Sequence, residues 1–232
     1  MRREGRGHAA LRQVLVAAMV LAAVCGPSAM TVAAGENRPD VKNLLTQWHP
    51  RGIPYAEAKA YGRQAIPELL AMLKDPALAA HWTKVVWVLG CIGDASATQP
   101  LLDFLASQQG EVSLDAFRAA LAVGPALGHL AREGDARALQ ALQSLIAADG
   151  QRNGPALSYR RYRGAALDEV LARTAIQGLG LAGTPEALSV LESMNTNALR
   201  ADWVDNVGEA IALNTLVSQL GPERAFAPEH QR

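Results

Sequence analysis

The sequence predicts an all-α chain built as an α-solenoid of about four to five stacked helical hairpins. Three glycines, Gly93, Gly134 and Gly183, are each followed four residues later by alanine and eight residues later by leucine, which indicates a repeated helix–turn–helix unit. Apolar residues around them recur at the i, i+3, i+4 spacing of a buried helix face. Alanine and leucine dominate a chain that is 50% hydrophobic, and alternating β-branched runs bounded by turn signals are lacking, so helix is favoured over strand.

The stretch 85–105 illustrates one such unit. Its first helix is apolar around most of its circumference and is predicted to end at Gly93, because glycine adopts the left-handed backbone that costs other residues about 1 kcal/mol or more. Gly90 is expected to let a neighbouring helix approach closely. Asp94, like Thr184 at the same place after Gly183, is placed to cap the next helix. One pair of helices cannot bury both of its apolar faces, so the copies are expected to stack.

Residues 1–34 are predicted to be a cleaved signal peptide. A basic region up to Arg12 precedes eleven apolar residues, 14–24, and small residues follow, with the cut near Ala33 or Ala34. Because a membrane-spanning helix needs about 20 apolar residues, no stable membrane span is expected after signal removal; an uncleaved anchor is the alternative. Lipidation at Cys25 is disfavoured because valine precedes it. The protein is therefore expected to be periplasmic or secreted.

After the signal, the sequence predicts one repeat domain over residues 41–221. Residues 35–40 are expected to be a disordered lead and residues 222–232, which begin with a proline after a glycine, a mobile tail. The predicted parts of the domain are a short helix at 41–48, helices at 55–62 and 66–74, a second unit at 78–106, a third at 114–149, a fourth at 165–194 and a closing helix at 203–220. Terminal units of a solenoid lack one neighbour, which accounts for the irregular first hairpin.

A basic loop is inserted at about residues 150–164, where the spacing between turn glycines lengthens. Its candidate partner-binding residues are Tyr159, Arg160, Arg161, Tyr162 and Arg163. Insertions in solenoids map to loops that often lie on the binding face. Guanidinium groups and aromatic faces are suited to an acidic or phosphate-bearing partner. The alternative is a solvated linker whose arginines pair with Asp168 or Glu169 nearby.

Three segments carry a resemblance to a known family: LGCIGDASATQPLLDFL at 89–105, LGHLAREGDARALQALQSL at 127–145 and LGLAGTPEALSVL at 179–191. They resemble the HEAT-repeat superfamily, particularly the short bacterial type called PBS-lyase-like HEAT repeats. The resemblance implies a HEAT-like solenoid for residues 41–221 and says little about function, since such solenoids serve many unrelated ends. Arg173 matches the arginine that the family carries early in the first helix, whereas Thr83 stands at the equivalent position of the second unit.

The sequence contains no recognisable catalytic, cofactor or metal site. The histidines of the predicted mature chain, His49, His81, His129 and His230, are far apart, and none has a cysteine or carboxylate at a metal-ligand spacing. His129 is expected to be a capping or surface residue. Cys91 is the one cysteine left after signal removal, which excludes an intramolecular disulfide and favours a buried packing role.

These observations predict an exported, non-catalytic protein–protein interaction or scaffold module of the cell envelope. Because the first 34 residues carry four arginines and one glutamate, the neutral total leaves residues 35–232 with a net charge of −3, which disfavours nucleic acid as a partner. The expected partner is another protein, with an acidic one favoured by the basic loop. The alternative is an enzyme or enzyme accessory with a site assembled from distant residues on the concave face, for which a pocket joining two ionisable groups with shifted pKa values would be the sign.

Overall fold

The computed structural model describes residues 40–47, 49, 52–147, 156–196 and 201–225. Most of them lie in α-helices, so the all-α prediction is confirmed at the level of fold class. The helices are α1 Val41–Thr46, α2 Tyr55–Ala60, α3 Ile66–Lys74, α4 Trp82–Ile92, α5 Thr98–Ser107, α6 Leu114–Arg132, α7 Ala136–Ala147, α8 Ala165–Ala182, α9 Pro185–Thr196, α10 Ala201–Leu220 and α11 Pro222–Ala225. Short 3-10 helices occupy Arg63–Ala65, Pro76–His81 and Ala95–Ala97. The predicted signal peptide, 1–34, lies outside the described residues.

The first helices of successive hairpins contact one another in chain order. Helix α4 packs against α6, α6 against α8, and α8 against α10. The intervening helices pack on the same members: α5 on α6, α7 on α6 and α8, and α9 on α8 and α10. Leucines of this packing, among them Leu89, Leu127, Leu142 and Leu179, are fully buried. Burial of this apolar surface is the main force that holds the helices together.

Glycine allows the closest of these helix contacts. A Cβ atom built on Gly128 of α6 would lie 2.2 Å from the carbonyl oxygen of Gly178 on α8. A Cβ atom on Gly90 of α4 would lie 2.6 Å from the Cα atom of Ala126 on α6, as expected for a glycine that admits a neighbouring helix. Interiors packed at this density have no room for an added methyl group.

The turn glycines lie where the repeat pattern predicts them. Gly93, Gly134 and Gly183 each follow the end of a first helix and have positive φ angles of 75°, 92° and 60°. Asp94 and Thr184 come directly after two of these glycines, and each side chain accepts a hydrogen bond from a backbone N–H of the helical turn that follows. The prediction of these three turns and of both caps is confirmed.

Cys91 is fully buried on α4, as expected for a packing residue. Burial raises the pKa of its thiol, which keeps the sulfur protonated and unreactive at neutral pH. Among the helices in the described part of the chain, none combines the length and the hydrophobicity that crossing a membrane requires.

Both ends of the domain differ from the prediction in detail. Asp40, assigned to the disordered lead, caps α1 by accepting a hydrogen bond from the backbone N–H of Lys42 at 3.0 Å. The mobile tail predicted from residue 222 is corrected for its first four residues, because Pro222–Ala225 forms α11, with Pro222 and Ala225 buried. Helix α11 contacts α2, so elements from the two ends of the repeat domain meet.

A two-stranded parallel sheet is a feature that the sequence did not predict. Strand β1, Gly110–Glu111, follows α5, and strand β2, Leu157–Ser158, lies in the predicted basic loop. Gly110 is aligned with Leu157 and Glu111 with Ser158. Strands this short carry none of the alternation by which a strand is recognised in sequence. The pairing fixes the start of the described part of the basic loop against the α5–α6 connection.

Candidate functional site

The described half of the basic loop, residues 156–164, is attached to the domain by backbone hydrogen bonds. The N–H of Gly110 donates to the carbonyl of Ala156 at 3.0 Å, and the N–H of Val112 donates to that of Ser158 at 2.9 Å. Leu157, with 2% of its surface exposed, anchors the strand in the core. The loop therefore starts from a fixed backbone position.

Residues 159–163 form a tight turn, here called the arginine turn. The N–H of Tyr159 donates to the carbonyl of Tyr162 at 3.0 Å, and the N–H of Tyr162 donates to that of Tyr159 at 2.9 Å. Arg160, the first residue of the tip, has a φ of 52°, the one positive φ of a non-glycine residue in the part of the chain that the structure describes. A left-handed conformation at such a residue costs about 1–2 kcal/mol, so the surroundings must hold it.

Glu111 of strand β1 holds this conformation. One carboxylate oxygen accepts a hydrogen bond from the backbone N–H of Arg160 at 3.0 Å, and the other accepts from the hydroxyl of Ser158 at 3.0 Å. The hydrogen bond from Arg160, followed by that from Ser158, lowers the pKa of Glu111, and the positive charge of Arg163 contributes in the same direction. The loop itself contains no acidic residue, so the carboxylate comes from the neighbouring strand β1.

The two tyrosines of the arginine turn rest on one buried aromatic ring. The ring of Phe117, which is 5% exposed, stacks on Tyr159 with centroids 4.9 Å apart and on Tyr162 with centroids 5.2 Å apart. Stacked aromatic pairs at such distances contribute about 0.5–1.5 kcal/mol beyond the area they bury. Both tyrosines, predicted as partner contacts, are therefore half-buried supports of the turn as well as part of its surface.

Two arginines of the turn lie over the tyrosine rings. The guanidinium carbon of Arg160 lies 5.2 Å from the ring centroid of Tyr159, and that of Arg161 lies 5.2 Å from the centroid of Tyr162. Arg161 also donates a hydrogen bond to the hydroxyl of Tyr162 at 3.2 Å. Each of these guanidiniums is thus placed over a tyrosine that itself stacks on the buried ring of Phe117.

The three arginines of the turn are exposed. Within the described ranges, none of them forms an ion pair with a carboxylate. Asp168 and Glu169, the partners that the linker alternative requires, do not supply one; Glu169 pairs instead with Arg173 at 2.9 Å. The arginine turn therefore presents unpaired positive charge on a backbone fixed to the core.

A second cluster of polar groups surrounds His129 on α6. This side chain is fully buried, so the expectation of a capping or surface histidine is wrong. Its ring contacts that of Tyr55, with centroids 5.2 Å apart, and the edge of that of Trp87, with centroids 5.0 Å apart. Neither ring nitrogen has a hydrogen-bond partner among the residues that the structure describes. Burial, together with the charge of Arg132, lowers the pKa of His129 to about 4, so the imidazole is neutral at pH 7.

Tyr55 and Lys59 of α2 connect this cluster to the surface. The ammonium of Lys59 lies 2.5 Å from a carboxylate oxygen of Glu133 and donates to the hydroxyl of Tyr55 at 3.4 Å. Burial raises the pKa of Tyr55. Burial lowers that of Lys59, but the hydrogen bond and the charge of Glu133, with Tyr55, outweigh it and leave the pKa of Lys59 raised. At neutral pH Tyr55 is therefore uncharged and Lys59 is protonated.

An open cleft of about 490 Å³ lies beside this cluster, where α2 meets the end of α10 and α11. Tyr55 and Lys59 line one wall, and Glu223 and Arg224 line the other. No sequence motif predicts the cluster around His129, because its residues are dispersed along the chain. The available signal was the i, i+4 spacing of Tyr55 with Lys59 and of His129 with Glu133, which places each pair on one helix face.

No set of three histidine, cysteine or acidic side chains suited to a metal ion occurs in the described ranges. The candidate binding residues from the sequence are thus gathered in the arginine turn. The titratable cluster at Tyr55 consists of other residues, although Phe117 and His129, which contact the two groups, both lie on α6. In comparisons with protein-family models, curated proteins and solved structures, the chain has no significant match.

Proposed function

We propose that this protein is an exported, non-catalytic protein–protein interaction or scaffold module, a HEAT-like α-solenoid that binds an acidic partner protein through its arginine turn. The observation that carries the proposal is the set of three exposed arginines without a carboxylate partner on a turn fixed to the core. Export to the periplasm or the exterior rests on the leader predicted at residues 1–34.

The solenoid part of the proposal is supported by the order of helix contacts. Each first helix packs on the next one along the chain, and left-handed glycines lie at the turns between paired helices. Stacked hairpins of this type give an extended surface suited to binding other proteins. A loop inserted between two hairpins and anchored to the structure is a natural contact point on such a surface.

The acidic character of the partner follows from charge and preorganisation. Arginine is enriched at the energetically important positions of interfaces, where it forms bidentate hydrogen bonds with carboxylates. A side chain already held over an aromatic ring loses less conformational freedom on binding, which otherwise costs about 0.5–1.5 kcal/mol for each such side chain. Complementary charge also accelerates encounter with an acidic surface.

The enzyme alternative receives less support from the cleft beside Tyr55. General acid–base catalysis works best with groups whose pKa values lie near the operating pH. Here burial raises the pKa of Tyr55 above 10.0 and lowers that of His129 below 6.5, and Glu133 with Tyr55 raises the pKa of Lys59 above 10.5 although burial opposes it. Each shift leads away from neutrality. The cluster is therefore better suited to joining α2 to α6 than to transferring protons.

The binding role is tested by removing the charge of the turn. The double variant Arg160→Ala with Arg161→Ala is expected to elute from a carboxylate resin at clearly lower salt than the wild-type protein, because two exposed charges are lost without disturbing the backbone bond to Glu111. Arg224→Ala is the control, since Arg224 is an exposed arginine outside the arginine turn without an ion pair in the described part. Equal elution of the double variant and wild type would favour the linker alternative.

A further inference from the structure

We infer that the arginine turn recognises two neighbouring carboxylates on an extended acidic segment of its partner, each bound bidentately by one of the guanidinium groups of Arg160 and Arg161. This inference rests on the proposed function and specifies how the turn reads its partner. The shape of the guanidinium groups, in addition to their charge, determines recognition.

Arg160 and Arg161 both have N–H donors that are not used within the protein. A guanidinium carries five N–H donors in one plane. The contact of Arg160 with Tyr159 is made over the ring and uses no N–H, and Arg161 uses one donor on the hydroxyl of Tyr162. Within the described residues no carboxylate competes for the remaining donors. Both groups therefore keep enough donors for a bidentate bond with a carboxylate.

The two tyrosines that lie under the guanidinium groups are paired through their backbones. Tyr159 and Tyr162 exchange both backbone hydrogen bonds, as in an antiparallel hydrogen-bonded pair, and the Cα atoms of such a pair are about 5.5 Å apart. Side chains at alternate positions of an extended strand, which point to the same side, are separated by about 6.5–7 Å. The Cα spacing of the two tyrosines that lie under the guanidiniums is thus close to that of two acidic side chains separated by one residue.

Two separate carboxylates fit the arginine pair better than a single phosphate does. A phosphate bound by both arginines would need the two guanidinium planes to converge on one anion, whereas Arg160 and Arg161 lie over separate rings. Arg163 is close enough to Glu111 to lower its pKa, so part of its charge is balanced within the protein. Arg160 and Arg161, adjacent at the tip, are therefore the residues that distinguish one partner from another.

The test uses short capped peptides as probes and isothermal titration calorimetry with the purified protein. The first probe is Gly-Glu-Ser-Glu-Gly, and its neutral match replaces both glutamates by glutamine; inorganic phosphate is the competitor. The decisive variant is Arg160→Lys with Arg161→Lys, which preserves both charges but not the planar fork. It is expected to bind the diglutamate peptide at least about tenfold more weakly than wild type does, which corresponds to about 1.4 kcal/mol.

The possible outcomes separate recognition by the guanidinium fork from the proposed binding function. Equal binding by the lysine variant, with loss of binding in the Arg160→Ala, Arg161→Ala variant, would overturn the fork inference and leave the proposed function standing. Full binding by the alanine variant would overturn both. Equal affinity for the glutamine peptide, or displacement of the diglutamate peptide by equimolar phosphate, would overturn the assignment to paired carboxylates. The control variant Arg224→Ala should bind the peptide as wild type does.

Discussion

Replacing Gly128 by alanine is expected to destabilise the protein by about 3 kcal/mol or more, at the upper end of the range for an overpacked core. The added methyl group would lie 2.2 Å from the carbonyl oxygen of Gly178 and 2.8 Å from its Cα atom. These are backbone atoms, which cannot turn aside as a flexible side chain can. Helices α6 and α8 would have to separate, and every leucine buried between them would lose contacts.

The control for this substitution is Gly208→Ala on α10. Gly208 also lies inside a helix, but no atom lies within 4 Å of a Cβ built there. Alanine in an exposed helix interior is favoured over glycine by about 0.8–1 kcal/mol, so this variant should be slightly more stable than wild type. Urea unfolding followed by circular dichroism measures both. A Gly128→Ala midpoint equal to that of wild type would show that α6 and α8 are not in close contact in solution.

The repeat pattern predicted the parts of the fold that depend on local sequence. A helix end closed by a left-handed glycine needs only residues near that glycine, so the positions of Gly93 and Gly183 at helix ends follow from the amino-acid pattern alone. The caps at Asp94 and Thr184 were found for the same reason, because the donor lies two or three residues away. Periodicity together with turn chemistry is sufficient for such features.

The parts that sequence did not predict depend on distant contacts. Phe117 supports Tyr159 and Tyr162 across a long stretch of chain, and Glu111 binds the backbone of Arg160 although it belongs to a different connection. The loop residues themselves were identified from composition, but their support was not. No local pattern predicts that an aromatic residue on α6 will support a turn that follows α7, since this contact depends on how the helices pack.

The burial of His129 also depends on distant contacts, and here the local sequence led to a wrong prediction. Its position beside the turn at Gly134 suggested a surface residue, since polar side chains near helix ends are usually solvated or act as caps. The structure instead places Tyr55 and Trp87 against its ring. Trp87 comes from the unit before that of His129, and Tyr55 comes from the hairpin before that one, so neither contact could be predicted from the residues next to His129.

Replacing His129 by methionine is expected to remove an acid-sensitive part of the stability. The pKa of His129 is about 4 in the folded protein and ordinarily 6.5, so folding favours the neutral ring. This contribution is fully present above pH 6.5, declines as the pH falls, and is lost once the pH is below about 4, a total change of about 3 kcal/mol. Lys59, Glu133 and Arg132 also act on the ring, and burial is the largest cause of its lowered pKa. Urea unfolding at pH 7, 6, 5 and 4 measures the free energy difference between the variant and wild type.

A second substitution separates the titration from the polarity of the ring. His129→Gln also cannot titrate in this range, but it keeps a buried amide where the structure offers the imidazole no hydrogen-bond partner in its described part. Methionine fills a similar volume without polar nitrogens and makes favourable sulfur–aromatic contacts. The methionine variant should therefore be at least as stable as wild type at pH 7, with a free energy of unfolding up to about 1 kcal/mol higher. The glutamine variant should be less stable than the methionine variant at pH 7, yet both should lose the same acid dependence. If the methionine variant and wild type lose stability in parallel between pH 6.5 and 4, the imidazole is solvated in solution and α2 does not cover it as the structure shows.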